Sequence, residues 1–98
     1  MGIEFTWRPE KAKRNLKKHG VSFETAKQVF SDPFRLILKD YEDDAGEFCL
    51  YAIGFAGGEV LLLAVFIDRS EDEQDIFHII SARKANAYEK EIYAQQFP

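Results

Sequence analysis

The chain is 98 residues long, 46% hydrophobic and 14% aromatic, which suffices for one core without staples and is too short for two. Its longest apolar run, Val60 to Ile67, is far short of a bilayer span; Met-Gly-Ile-Glu-Phe is not a secretion signal, and the lone Cys49 argues against a disulfide framework, so a cytoplasmic, non-membrane protein is expected. The formal net charge of −4 is the wrong sign for a protein that binds nucleic acid over its whole surface, but Arg8, Lys11, Lys13, Arg14, Lys17, Lys18 and Lys27 meet only Glu10 and Glu24, whereas 40–75 is mostly acidic.

Ile3 to Trp7 alternates apolar and polar, the period of a strand with one buried face. Pro9 suits the first position of a helix, Glu10 complements its N-terminal dipole, and the helix runs to His19. Only Ala12 and Leu16 are apolar in it; Lys11, Arg14, Asn15 and Lys18 share a neighbouring face. Gly20 stops this helix, and Ser22 caps a second one, Phe23 to Phe30, with Phe23, Ala26, Val29 and Phe30 turned inward. Asp32-Pro33 ends it.

Phe34 to Leu38 reads as a strand and Asp40 to Glu47 as an exposed acidic loop. Phe48 to Phe55 and Val60 to Asp68 are strands joined by a two-residue hairpin turn at Gly57-Gly58, where positive φ angles are required. After Ser70 to Asp75, the apolar run from Ile76 to Ile80 is an interior strand that delivers Arg83 and Lys84, and Asn86 caps a closing helix to Phe97 with Ala87, Tyr88, Ile92 and Tyr93 at apolar spacing. The order β-α-α-β-β-β-β-α predicts an α+β domain with helices packed on an antiparallel sheet.

No Gly-rich phosphate loop, His/Cys ligand cluster or nucleophile elbow is present, so neither cofactor nor metal is expected. What remains at element ends is cationic or proton-exchanging: Lys18, His19, Asp68, Arg69, His78, Arg83, Lys84 and Tyr88. Such a set fits metal-independent RNA cleavage, which needs a base for the 2′-OH, cations for the phosphorane and a donor for the leaving oxygen. Each member has a second reading. Arg83 can be an ion-pair partner of Glu89 or Asp32, Arg69 can neutralise the acidic loop, His19 can cap a helix, and His78 can be a core histidine. Asp68 and Arg69 point to opposite faces of a regular strand.

Several fragments carry a resemblance: Arg8-Pro-x-Lys, Asn15-Leu-x-Lys-His-Gly-Val-Ser-Phe-Glu, Val29-Phe-x-Asp-Pro, Gly46-Glu, Ile53-Gly54, Asp68-Arg69 and Ile79-Ile-Ser-Ala-Arg-Lys-Ala. Together they resemble the BrnT toxin family of type II toxin–antitoxin systems over nearly the whole chain. The resemblance implies one RelE-like ribonuclease domain over residues 1–98, RNA cleavage that inhibits translation, and a BrnA-type ribbon-helix-helix antitoxin through which alone DNA is contacted. It puts catalysis on Asp68, Arg69 and Arg83 and carries the family's Lys-His pair onto Lys18 and His19, to bind phosphate or move a proton, and its closing-helix glutamate onto Glu89; the basic face of the first helix and the strand end add Lys11, Arg14 and Lys84 to Lys18 as RNA-binding candidates, and His19 joins the catalytic ones. The chain departs from the family pattern at Arg8 (usually aspartate), Cys49 and His78 (usually arginine) and Asp68 (usually glutamate). The reading from another class is a non-catalytic module whose acidic loops dock a basic partner protein.

Overall fold

A computed structural model describes residues 2–42 and 47–98, the side chains of 40–42 excepted. The elements follow the expected order: β1 (Glu4–Thr6), α1 (Pro9–His19), α2 (Phe23–Ala26), a 3-10 turn (Lys27–Ser31), β2 (Leu36–Glu42), β3 (Phe48–Ala56), β4 (Val60–Asp68), β5 (Ile76–Lys84) and α3 (Ala87–Ala94). The strands form one five-stranded sheet in the order β1-β5-β4-β3-β2. Strands β2 to β5 make an antiparallel meander; β1 joins β5 in parallel, so the sheet is mixed at that edge.

Local chemistry explains the element ends. Gly20 closes α1 with φ 71°, its N–H reaching the Leu16 carbonyl, and the Ser22 hydroxyl accepts the Thr25 N–H at the start of α2. The second helix tightens to 3-10 geometry at Lys27. β2 begins two residues later than expected because Asp32 folds 32–35 into a turn: its carboxylate accepts the Phe34 N–H and its carbonyl the Arg35 N–H. β2 then continues through 40–42 by pairing with β3, across an irregularity between Lys39 and Tyr41, so the first three residues of the expected acidic loop are strand; 43–46 lie outside the described residues. The β3–β4 loop has three residues, Gly57 to Glu59, with φ of 65° and 76° at the two glycines.

Both sheet faces are covered, unequally. On one, α2, the 3-10 turn and part of α1 enclose Phe23, Ala26, Val29, Phe30, Ala52, Leu62, Phe66, Ile79 and Ala82. On the other, α3 covers Ile53, Leu61 and Leu63 through Tyr93 and Ile92. Two residues of α1 depart from the expected pattern: Leu16 is 51% exposed, whereas Asn15 is buried. In α3, Tyr88 points outward and Tyr93 inward.

The two faces of β5 exchange partway along it. Val65 pairs with Ser81 but Phe66 with Ile79, which leaves Ile80 as an extra residue opposite β4. Phe77 and Ile79 therefore share the α1/α2 face with Ala82, while His78 shares the α3 face with Arg83.

Candidate functional site

Where β1 ends, the outer edge of β5 is met by α1. Asn15 reaches that edge, its Nδ2 donating to the Ala82 carbonyl at 2.8 Å and the Val21 carbonyl at 3.0 Å, and its Oδ1 accepting from the Ala82 N–H at 3.1 Å and the Ser81 hydroxyl at 3.3 Å. This anchoring turns Lys11, Arg14, Lys18 and His19 toward Ile80 and Ser81, and together they line an open cleft of about 270 Å³. Four of the eight catalytic and RNA-binding candidates, all from one helix, thus converge on one strand edge.

Arg83 lies two residues beyond Ser81 on the same strand. Its guanidinium donates twice to Glu89, each at 2.8 Å, and once to the Lys84 carbonyl. Glu89 also accepts the Asn86 N–H in the capping box of α3. The ion-pair reading of Arg83 with Glu89 is the observed geometry, and Asp32 is engaged elsewhere. The hydrogen bonds to Glu89 make Arg83 hold its proton more firmly than an ordinary arginine, against the opposing effect of burial. Burial alone would raise the Glu89 carboxyl, but the bonds from Arg83 and Asn86 outweigh it and hold the group below its usual value. About a third of the Arg83 side chain remains accessible to a phosphate.

Arg69 sits at the other end of the β4–β5 ladder, its N–H bonded to the Ile76 carbonyl. Leu63 is the β4 partner of Arg83, and six residues separate it from Arg69, roughly 20 Å of strand at about 3.3 Å per residue. The two arginines are therefore not brought to one phosphate. Arg69 pairs with Glu47 at 3.2 Å, as a neutraliser of that acidic segment would. Asp68, its neighbour, turns to the opposite face: it lines a cleft with Lys39, Phe48 and Leu50, and its Oδ1 accepts the Ser70 N–H. Lys84 stands apart from the α1 cations, beside Glu59 and Lys90 near α3.

His78 is half-buried on the α3 face beside Ile67, its Nδ1 2.9 Å from the Thr6 hydroxyl across the β1–β5 pair. Burial, with Arg69, Lys11 and Arg8 acting in the same direction against Glu47, lowers its pKa below the usual histidine value. Among the described residues no group of His, Cys, Asp and Glu could hold a metal ion, and no helix is long and apolar enough to cross a membrane. Sequence reasoning missed the anchoring role of Asn15, for which the signal was its i+3 spacing from Ala12, and the Thr6–His78 contact, which only the parallel pairing of β1 creates.

A mixed α+β sheet with helices on both faces and cations of α1 drawn up along one strand edge defines the class of fold. The comparisons make the class particular. The family model for the ribonuclease toxin, BrnT, of type II toxin–antitoxin systems matches residues 7–89, and the chain belongs to that family. The crystal structure of the Brucella abortus ribonuclease toxin, BrnT, superposes with a TM-score of 0.65 at 22% identity, covering 87% of this chain and 99% of that one; the likeness is one of fold. No curated protein matches.

Proposed function

We propose that this chain is a metal-independent endoribonuclease that cleaves RNA in the cytoplasm, inhibits translation, and is neutralised by a BrnA-type ribbon-helix-helix antitoxin that makes the only DNA contact. Family membership supports the class of activity. The observation that carries the site is the convergence of Lys11, Arg14, Lys18 and His19 on the β5 edge at Ile80 and Ser81. Arg83 lies just beyond that cleft and Arg69 at the far end of the strand, so RNA laid along β5 meets cations at several phosphates in turn. In this reading Arg69 and Arg83 neutralise charge at different phosphates, His19 is a proton-exchanging group of the cleft, Lys84 extends the track, and Asp68 shapes the turn that carries Arg69.

The test is growth arrest and RNA cleavage by the wild type and the variants Arg69→Ala, Arg83→Ala and Lys11→Ala/Lys18→Ala. Cleavage is expected to fall by about tenfold or more in each, with the lysine pair also flattening the salt dependence of RNA binding. Wild-type levels of cleavage in all of them would refute the β5 track. Purified protein that leaves RNA intact over a range of salt, yet binds the product of a neighbouring gene, would establish the non-catalytic interaction module instead.

A further inference from the structure

One group on the β5 flank has the chemistry for proton transfer and a position held by the fold. We propose that His78 is a catalytic residue of this chain, its Nε2 accepting the 2′-hydroxyl proton of the RNA while Thr6 holds the ring through Nδ1. The inference rests on the ribonuclease reading above and adds the identity of the base.

The geometry has three parts. First, His78 is fixed at both ends: its backbone is in register with Ile67 of β4 and Thr6 of β1, and its Nδ1 lies 2.9 Å from the Thr6 hydroxyl. With Nδ1–H donating to that oxygen, the lone pair is on Nε2, which has no hydrogen-bond partner among the described residues. Second, the half-buried ring stands on the sheet face that also carries Arg83, because the Ile80 bulge brings residues 78 and 83 to one side. Third, the charged groups around it suit an anionic substrate: Arg69 from the end of β4, Lys11 and Arg8 from the start of α1, and Glu47 before β3, with Glu4 of β1 on the same face by register. Three cations favour the neutral imidazole, the form that accepts a proton, and attract the phosphate that brings the 2′-hydroxyl to it.

The step balances without any further reagent. The 2′-oxygen gives its proton to Nε2 and uses the freed pair to form a bond to phosphorus. The bond from phosphorus to the 5′-oxygen breaks, and that oxygen leaves with the pair and takes a proton from water. The resulting hydroxide is neutralised by the proton on His78. The products are a 2′,3′-cyclic phosphate and a 5′-hydroxyl end, and the ring returns to its starting form.

Single-turnover cleavage of a short single-stranded oligoribonucleotide is measured against pH, beside binding of its 2′-deoxy analogue by fluorescence anisotropy. His78→Gln is expected to slow cleavage by about 10²–10⁴-fold and to remove the acid limb of the rate profile, with affinity for the analogue within about twofold of wild type. Arg69→Gln removes a neighbouring cation, favours the imidazolium and moves the acid limb to higher pH; Glu47→Gln moves it the other way. Should His78→Gln fail to fold by circular dichroism, His78→Asn, whose amide N–H can still reach Thr6, takes its place. In the wild type, the NMR titration of the His78 ring in the presence of the analogue must coincide with the kinetic acid limb. Wild-type protein that cleaves no RNA overturns the ribonuclease reading and this inference together. Cleavage by the wild type with an unchanged rate and acid limb in the folded variant, or an NMR titration that departs from the limb, overturns the role of His78 alone.

Discussion

Asn15 shows how one side chain can serve two elements at once. An amide has two donor hydrogens and an acceptor oxygen with two lone pairs, and here every one of these is used, on Ala82, Val21 and Ser81. Asn15→Ala strands the buried N–H and carbonyl of Ala82, and is expected to cost about 2–4 kcal/mol in urea unfolding. A loss below about 1 kcal/mol would mean that water replaces the amide. Polarity alone assigned Asn15 to the solvated basic face of α1, because composition reports what a residue is and not which backbone groups lack partners. The ion-pair reading of Arg83 was legible in the sequence, and the cap that Glu89 makes for α3 decides the geometry: a carboxylate already fixed by Asn86 stands within reach of the guanidinium.

At the scale of elements, strand pairing reshapes what local pattern suggests. The bounds of α1 and β4 follow from Pro9, Gly20 and the hairpin glycines, all of which act within a few residues. The extension of β2 to Glu42 depends on Phe48 and Cys49 across the ladder, and the bulge depends on β4, so neither is written in a local window. The doublet Ile79-Ile80 breaks alternation at the bulge, but Ile76-Phe77 breaks it as well where no bulge lies. Packing of the 3-10 turn on β3 is equally non-local. A Cβ at Gly54 would meet Val29 Cγ1 at 3.0 Å, the Val29 carbonyl oxygen at 3.1 Å and Asp32 Cβ at 3.3 Å. Gly54→Ala is therefore expected to lower stability by about 1–3 kcal/mol, since backbone must move to admit the methyl. A thermal midpoint equal to wild type would show that the turn slides freely on the sheet.

For the whole molecule, the buried polar groups set a pH window of stability. Burial would raise Asp32, but the N–H of Phe55, the Tyr93 hydroxyl, the N–H of Phe34 and the charge of Arg35 bring it below its usual value of 3.8, as Arg83 and Asn86 bring Glu89 below 4.5. Groups depressed in the folded state stabilise it above their unfolded values and lose that contribution as pH falls through the folded ones. Tyr93, pushed from 10.0 up to about 12 by burial and by Asp32, works in the opposite sense: its contribution is full below pH 10 and lost as pH rises toward 12. Urea midpoints are thus expected to be flat between about pH 7 and 9 and to fall on both sides, on the acid side first through His78, depressed from its usual 6.5, and then through Asp32 and Glu89, with Glu89→Gln and Asp32→Asn each reducing the slope below about pH 5. An acid slope unchanged by both would place the titration elsewhere. The two-sided charge of the chain was visible in its sequence, whereas the convergence of four α1 side chains on β5 depends on how α1 is set against the sheet.

The bonds from Asn15 also fix how this sheet can grow. One border consists of the three residues of β1, after which an amide occupies the positions a further strand would need. The other border, β2, runs for seven residues, and among the described residues no strand lies beyond it. A polypeptide joining the sheet edge-on, whether an antitoxin segment or a second copy of this chain, finds a full-length template at β2 and only a three-residue one at β1.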